Sequence, residues 1–431
     1  MKRVLVIGMN YSPEITGIGK YTGEFCEYLN SRNHDVQVVT GYPYYPQWKS
    51  QAGYNTKWYK RESVSGVRIL RCPFFIANPK KKYQRVFQEL SFFISSFLAV
   101  TLFCFKKNKA NFLFVISPSM LSGLVGLWYK LWCPSVKMIY HIQDIQVDAA
   151  SRLGIIRQKR LLFLFGKVEK FIIEKADVVS AISTGMLKKI ANKSFKIKKI
   201  VLFPNWVNTQ EIYPTEVSIN FLSQNNLNKG KRIILYSGAI GEKQGLDIVI
   251  QAARHLEDEL QDIIFIVCGS GPYFDTLRDQ CFETKISNIE FRPLLPINEY
   301  NQLLNAAWLH LVIQKETAED LVMPSKLNAI MATGGMTIVT ANTNTDLYNL
   351  IHENNLGYII KPENPVSLSE AIRHLSLQPE LIELKKNAAL RYSKIYLSRE
   401  IVINKFLESI FENSYYRNEL IHKINNQYSN A

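Results

Sequence analysis

The chain has 431 residues, more than one hydrophobic core organises, since single cores stop growing near roughly 250–300 residues, so two domains are expected. With 47% hydrophobic and 21% charged residues it is neither a disordered nor a collagen-like chain. The net charge of +15 suggests an anionic partner, and since no nucleic-acid motif accompanies it, a phosphorylated substrate or an anionic membrane surface is favoured over DNA or RNA.

The first predicted element is the strand RVLVIGM, 3–9. Its apolar run is too short for the core of a signal peptide and reads as a buried strand. A long loop follows, ending in Gly17 and Gly19 just before the helical pattern KYTGEFCEYLNSR. Those glycines come too late for a dinucleotide fingerprint, whose glycines follow the strand directly. Strands are expected next at 35–40, 67–72, 112–117, 136–142, 177–183 and 199–204. Near-continuous Val and Ile runs between amphipathic helices predict a parallel sheet covered on both faces.

Between these strands lie two unusual stretches. YPYYPQWKSQAGYNTKWYKRE, 42–62, reads as a loop that interleaves aromatics with basic residues. Tyr44, Tyr45 and Trp48 are candidates for stacking on an acceptor sugar, and Tyr and Trp also suit a membrane interface. LSFFISSFLAVTLFCF, 90–105, is flanked by KKKYQR and KKNK. It is shorter than the roughly 20 residues that span a bilayer, and contains Ser91, Ser95, Ser96 and Thr101. Two readings stand: a buried helix of the first domain, or a membrane-facing segment, 80–109, whose lysines meet lipid headgroups. They are compatible if one face packs inward.

The strand pattern restarts after the polar stretch 206–231, with apolar runs at 232–238, 263–269, 288–294, 308–314, 336–341 and 357–362. The expected boundaries are a first domain at 1–208, a second at 209–395, and a C-terminal helix within 396–431 that packs back on the first, with a disordered tail. Two doubly wound α/β halves place ligands outside the carboxyl ends of their strands. In YSGAIGEKQGLD, Gly238 closes a strand, and Gly241 and Lys243 lie in the turn before a helix, a pattern suited to a diphosphate. In QKETAEDLVMPSKLNAIMATGG, Pro324 suits a first helical turn, so Ser325 and Lys326 stand at its positive end while Leu327, Ile330 and Met331 form the buried stripe. The six cysteines include no CxxC pair, as expected of reduced thiols inside a cell.

NYSPEITGIGKYTGE, HDVQVVT, YPYYPQW, HIQDIQVDAA, VLFPNW, LYSGAIGEKQGL and VMPSKLNAIMATGG, in that order, resemble the family-4 retaining glycosyltransferases of GT-B fold, and among them the colanic-acid type of exopolysaccharide and O-antigen assembly. The resemblance implies two Rossmann-like domains facing across a cleft, with a nucleoside diphosphate sugar held by the second. It implies that Gly17 and Gly19 leave room for the sugar and diphosphate. It also implies that His141 lies near the transferred sugar; Asp144 and Asp148 are candidates for acceptor contact or base work. The chain departs from the family at Ala239 and Gln244, and at Leu321 and Ala329, where paired glutamates are usual; Glu316, Glu319 or Asp320 are candidates for the first of those roles. No DxD motif ends a strand, so neither a metal nor another cofactor is expected. The implied reaction moves a sugar, GDP-fucose or a UDP-linked N-acetylamino sugar being the donor, to a lipid-linked or oligosaccharide acceptor. The implied location is cytoplasmic, peripheral on the inner membrane, with no nucleic-acid partner. A nucleotide-sugar epimerase of the same fold and a non-catalytic assembly scaffold are the alternatives.

Overall fold

The computed structural model describes residues 1–14, 17–54, 57–78, 81–144, 158–227, 230–318, 324–343 and 345–411. The chain divides into two units, Met1–Pro204 with Ile403–Ala431, and Asn205–Val402. The second unit starts and ends at different residues from those expected, because Val207 bridges Ser398: the Val207 amide donates to the Leu397 carbonyl at 2.8 Å, and the Arg399 amide to the Val207 carbonyl at 3.0 Å. The expected tail lies outside the described residues.

In the first unit β1 (Arg3–Gly8), β2 (Asp35–Thr40), β3 (Lys60–Val64), β4 (Val67–Arg71), β5 (Phe112–Ser117), β6 (Lys137–Ile142), β7 (Val178–Ala181) and β8 (Ile200–Leu202) form one sheet in the order β3-β4-β2-β1-β5-β6-β7-β8. The pairs are parallel except β3 with β4. The reading of 42–62 as a loop fails at its end, where Lys60 to Glu62 enter β3. That strand is polar because it is an edge, and charged side chains protect an edge from further pairing. Ser65 and Gly66, at φ +50° and +78°, make the tight hairpin turn into β4.

Helix α1 (Gly17–Ser31) begins earlier than expected and takes both loop glycines into its first turn. On its side of the sheet Phe25 meets Phe114 and Phe203, and Phe203 stacks on Phe406 of the last described helix, Arg399–Phe411, at 3.7 Å between ring centroids. The other side is covered by α2 (Lys82–Cys104), α3 (Met120–Trp132) and α4 (Lys159–Lys175), whose inward residues join Leu5, Ile7, Leu113, Val115 and Met138 in one core. At 23 residues α2 is longer than the apolar run suggested, and by length and composition it is apolar enough to cross a membrane. One of its faces nevertheless belongs to the core, with Phe92, Ala99, Val100 and Cys104 buried.

In the second unit β9 (Arg232–Ala239), β10 (Ile263–Ser270), β11 (Ile289–Arg292), β12 (Ala307–Val312), β13 (Thr337–Thr340) and β14 (Tyr358–Ile360) form a wholly parallel sheet in the order β11-β10-β9-β12-β13-β14. Helix Asp247–Leu256 turns Ile248, Val249, Ala252, Ala253 and Leu256 into its core. All six cysteines are buried and unbridged.

Candidate functional site: a lysine beside a glycine strand end, and a clamped first loop

Strand order reverses between β9 and β12, and doubly wound sheets open their ligand crevice at the carboxyl ends of such a pair. β9 ends at Gly238 and Ala239 against β10, so close that a Cβ on Gly269 would come 1.9 Å from the Gly238 carbonyl oxygen. Gly238 itself has φ +136°, and a Cβ there would lie 3.2 Å from Lys326 Cε and 3.3 Å from Nζ. The missing side chain leaves the space that the lysine occupies.

Lys326 opens the helix Lys326–Ala332, anchored by buried Leu327, Ile330 and Met331 as the sequence predicts. Its Nζ sits 3.4 Å from the centre of the Tyr236 ring. The ring face attracts the cation but accepts no ordinary hydrogen bond. Nζ is buried without a hydrogen-bond partner among the described residues, and burial pushes the ammonium well below the usual lysine range. A buried ammonium with its N–H groups unmatched is costly unless an acceptor arrives, and phosphate oxygens are acceptors of the right charge.

The neighbouring turn is arranged differently from expectation. Glu242–Gln244 form one 3-10 turn in which Lys243 is exposed, while the Gly241 amide donates to Gln244 Oε1 at 3.0 Å. Gly241 was expected to offer that amide to a diphosphate, but the glutamine side chain is long enough to reach back and cap it. The Lys243 carbonyl accepts from the Lys315 amide at 3.0 Å, and Lys315 Cγ would lie 2.8 Å from a Cβ on Gly245, which has φ +63°. Lys315 is thus a second cation at this turn that sequence reasoning missed; its position straight after the β12 pattern was the available signal. Glu316 is exposed in the following 3-10 turn, and its amide donates to Glu363 Oε2 at 3.3 Å. Ser325 is an exposed N-cap residue whose hydroxyl makes no capping bond. Glu319, Asp320 and Leu321 lie outside the described residues. Two cavities in this unit, of 430 and 680 Å³, are lined by neither Gly238 nor Lys326.

In the first unit the loop after β1 is held by a buried carboxyl group and a buried arginine. Glu14 Oε1 accepts from the Tyr44 and Tyr45 amides at 3.2 and 3.1 Å, and Asn10 Nδ2 donates to Oε2 at 3.0 Å. Burial pushes this carboxyl up to about 7, against the pull of those donors and of Arg71. Arg71 is fully buried; it pairs with Glu62 at 2.8 Å, donates to the Gly41 carbonyl at 3.2 Å and to that of Ser12, and packs on the rings of Tyr11 and Tyr54. Neither Glu14 nor Arg71 was singled out in the sequence, where nothing local marks them.

This clamp changes the reason for the glycines. A Cβ on Gly19 would lie 2.3 Å from Glu14 Oε2, and one on Gly17, at φ +68°, would lie 3.3 Å from the Tyr45 ring. In this structure the space that a side chain would need beside them is taken by Glu14 and by the Tyr45 ring.

The aromatic residues divide. Tyr44 is buried against Phe74 and Trp48, so its ring is unavailable to a sugar, whereas Tyr45 and Trp48 are half-buried. The Arg85 guanidinium, from α2, lies 5.1 Å over the Trp48 ring. His141, in β6, is buried; its Nδ1 lies 3.0 Å from Ser180 Oγ and its ring 5.0 Å from that of Phe203. Burial pushes its pKa down to about 3, so it is a neutral imidazole that can orient a hydroxyl but does not store a proton near pH 7. Asp144, half-buried, stands two residues beyond β6 at the carboxyl end of the sheet. Asp148 lies outside the described residues.

Residues 16–206 match the family described as Glycosyl transferase 4-like domain, and residues 218–392 match Glycosyl transferases group 1. Over 414 residues the chain is 34% identical to the putative colanic acid biosynthesis glycosyl transferase WcaI of Escherichia coli K12, across 95% of this chain and 99% of the relative. Sucrose-phosphate synthase from Thermosynechococcus elongatus has the same fold, with a TM-score of 0.71 at 17% identity over 96% of this chain and 100% of the other. Anabaena HepE, solved with UDP and glucose, gives 0.69 at 12% identity over 95% and 99%. Motif order, the two doubly wound sheets and these likenesses agree: the chain belongs to the family-4 glycosyltransferases and is a glycosyltransferase of GT-B fold.

Proposed function

We propose that this glycosyltransferase serves bacterial cell-surface polysaccharide assembly, moving one sugar from a nucleoside diphosphate to a lipid-linked or oligosaccharide acceptor with retention at the anomeric carbon. The observation that carries the donor class is Lys326 Nζ, buried on the Tyr236 ring beside Gly238 and lacking a hydrogen-bond partner among the described residues. As the bond to the sugar breaks, the sugar becomes oxocarbenium-like and negative charge grows on the diphosphate. A fixed ammonium stabilises that charge more than it stabilises the bound ground state, so no metal is required in this reading. Lys243 and Lys315, at the adjoining turn, add positive potential. The name of the relative WcaI supports an exopolysaccharide role, and the UDP complex of HepE supports a nucleotide ligand. The favoured donors are GDP-fucose, or a UDP-linked N-acetylamino sugar.

The test is Lys326→Ala assayed with those donors. The expected result is a fall in kcat of roughly 10² or more with the fold intact by circular dichroism. Turnover within a few-fold of the parent would remove Lys326 from the reaction. Release of a changed nucleotide sugar without any acceptor would replace transfer by epimerisation.

A further inference from the structure

His141 and Ser180 stand opposite each other in register on β6 and β7, and both are buried. Residues paired in neighbouring parallel strands point to the same face of the sheet, which is why Nδ1 and Oγ meet at 3.0 Å. Phe203 lies against the same imidazole, 5.0 Å between ring centroids, and is itself held by its stack on Phe406. The ring is fixed in place, so what is left to set is the position of its proton. Burial keeps the ring from becoming an imidazolium, in which both nitrogens would donate. A neutral imidazole has one N–H and one bare nitrogen, and the bond made by one nitrogen decides what the other can do. Nδ1 meets the Ser180 hydroxyl oxygen, and the Ser180 backbone bonds the ring in the sense that favours a ring proton, as a carbonyl acceptor does.

We infer that Ser180 is a positioning residue: it keeps the proton of His141 on Nδ1, so that Nε2 presents a lone pair that accepts from a sugar hydroxyl. The inference rests on the proposed sugar transfer. His141 is one residue short of Ile142, where β6 ends, and doubly wound sheets bind ligands outside the carboxyl ends of their strands. Ser180, fully buried in β7, acts through the ring and not on the sugar. The tautomer matters because the two forms take opposite partners. With its proton on Nε2 the ring would donate to any sugar oxygen, including a ring or glycosidic ether. With the proton on Nδ1, only a group that has a proton to give can answer Nε2. The arrangement thus selects a free hydroxyl at that place on the sugar over an ether oxygen or a substituted position.

The experiment is nitrogen NMR of the full chain carrying isotope-labelled histidine, in which the long-range couplings of the ring protons tell the two neutral tautomers apart. His141→Gln assigns the signal. The expected result is the Nδ1–H tautomer in the parent and a shift of part of the population to Nε2–H in Ser180→Ala. Ser180→Thr, which keeps the hydroxyl, should keep the parent tautomer. In Ser180→Ala kcat should fall by roughly tenfold, about the worth of one hydrogen bond, while the KM for the donor changes by less than about twofold. Should that variant not fold, Ser180→Cys, of similar shape but a weaker hydrogen-bonding group, takes its place. An Nε2–H tautomer in the parent would overturn the inference. So would a variant lacking the hydroxyl in which either the tautomer or kcat stays as in the parent. The tautomer is read without turnover, so failure here is separable from failure of the proposed sugar transfer.

Discussion

The loops after β1 and β9 occupy equivalent places, each following the central strand at which its sheet changes direction, yet they treat buried charge in opposite ways. After β1, Arg71 and Glu14 are surrounded by partners from the chain itself, and the glycines beside them make room for those partners. After β9, Gly238 makes room for a lysine that finds an aromatic face and no acceptor among the described residues. The difference teaches where to look for a ligand. A satisfied buried charge fixes the backbone, while an unsatisfied one keeps its interaction energy for something that has yet to bind.

Arg71→Met should show the largest effect on stability. It removes the donors to the carbonyls of Ser12 and Gly41 and leaves Glu62 with Lys60 alone as its ion-pair partner, and losing one side of such a buried arrangement costs about 3 kcal/mol, read by thermal or urea unfolding. A loss below about 1 kcal/mol would mean that Arg71 does not hold the loop. Lys326→Met should move the other way, because an apolar chain of similar length removes a buried amine that has no hydrogen-bond partner among the described residues. A gain of about 1 kcal/mol, raising Tm by roughly 2–4 °C, is expected alongside the loss of turnover. Destabilisation would show that the lysine is already satisfied, and the contrast between the loops would collapse.

The smallest effect concerns pH. The folded Glu14 carboxyl holds its proton up to about 7, whereas an unfolded glutamate releases it near 4.3. Between these values the folded state binds more protons, so this group's stabilising contribution is full below the unfolded pKa and is lost as pH rises through about 7. The Tm of the parent minus that of Glu14→Gln should therefore fall from pH 5 to pH 8. A difference that stays flat would mean Glu14 is ionised throughout.

Strands were legible wherever both faces are buried, since runs such as FLFVIS and IIFIVCG have no other use in a parallel sheet. β3 was not, because an edge strand of Lys, Arg, Glu and Ser carries no apolar signal and is defined by its partner β4. At the site, Lys326 and Gly238 were each readable from their turns. Their adjacency, and the Tyr236 ring beneath the ammonium, were not, because that contact joins side chains from elements distant in sequence. Gln244 was visible as a departure from the family, but that it caps Gly241 is a matter of side-chain reach.

The sequence by itself determined the alternation of strands and helices, the doubling of that pattern and the family, because periodicity and ordered motifs are local properties of a chain. Only the tertiary structure decided which buried charges are partnered, which glycines yield space to their own protein, and which face of α2 joins the core. Those outcomes depend on what lies opposite each side chain. The packing of distant segments sets that, and no local pattern encodes it.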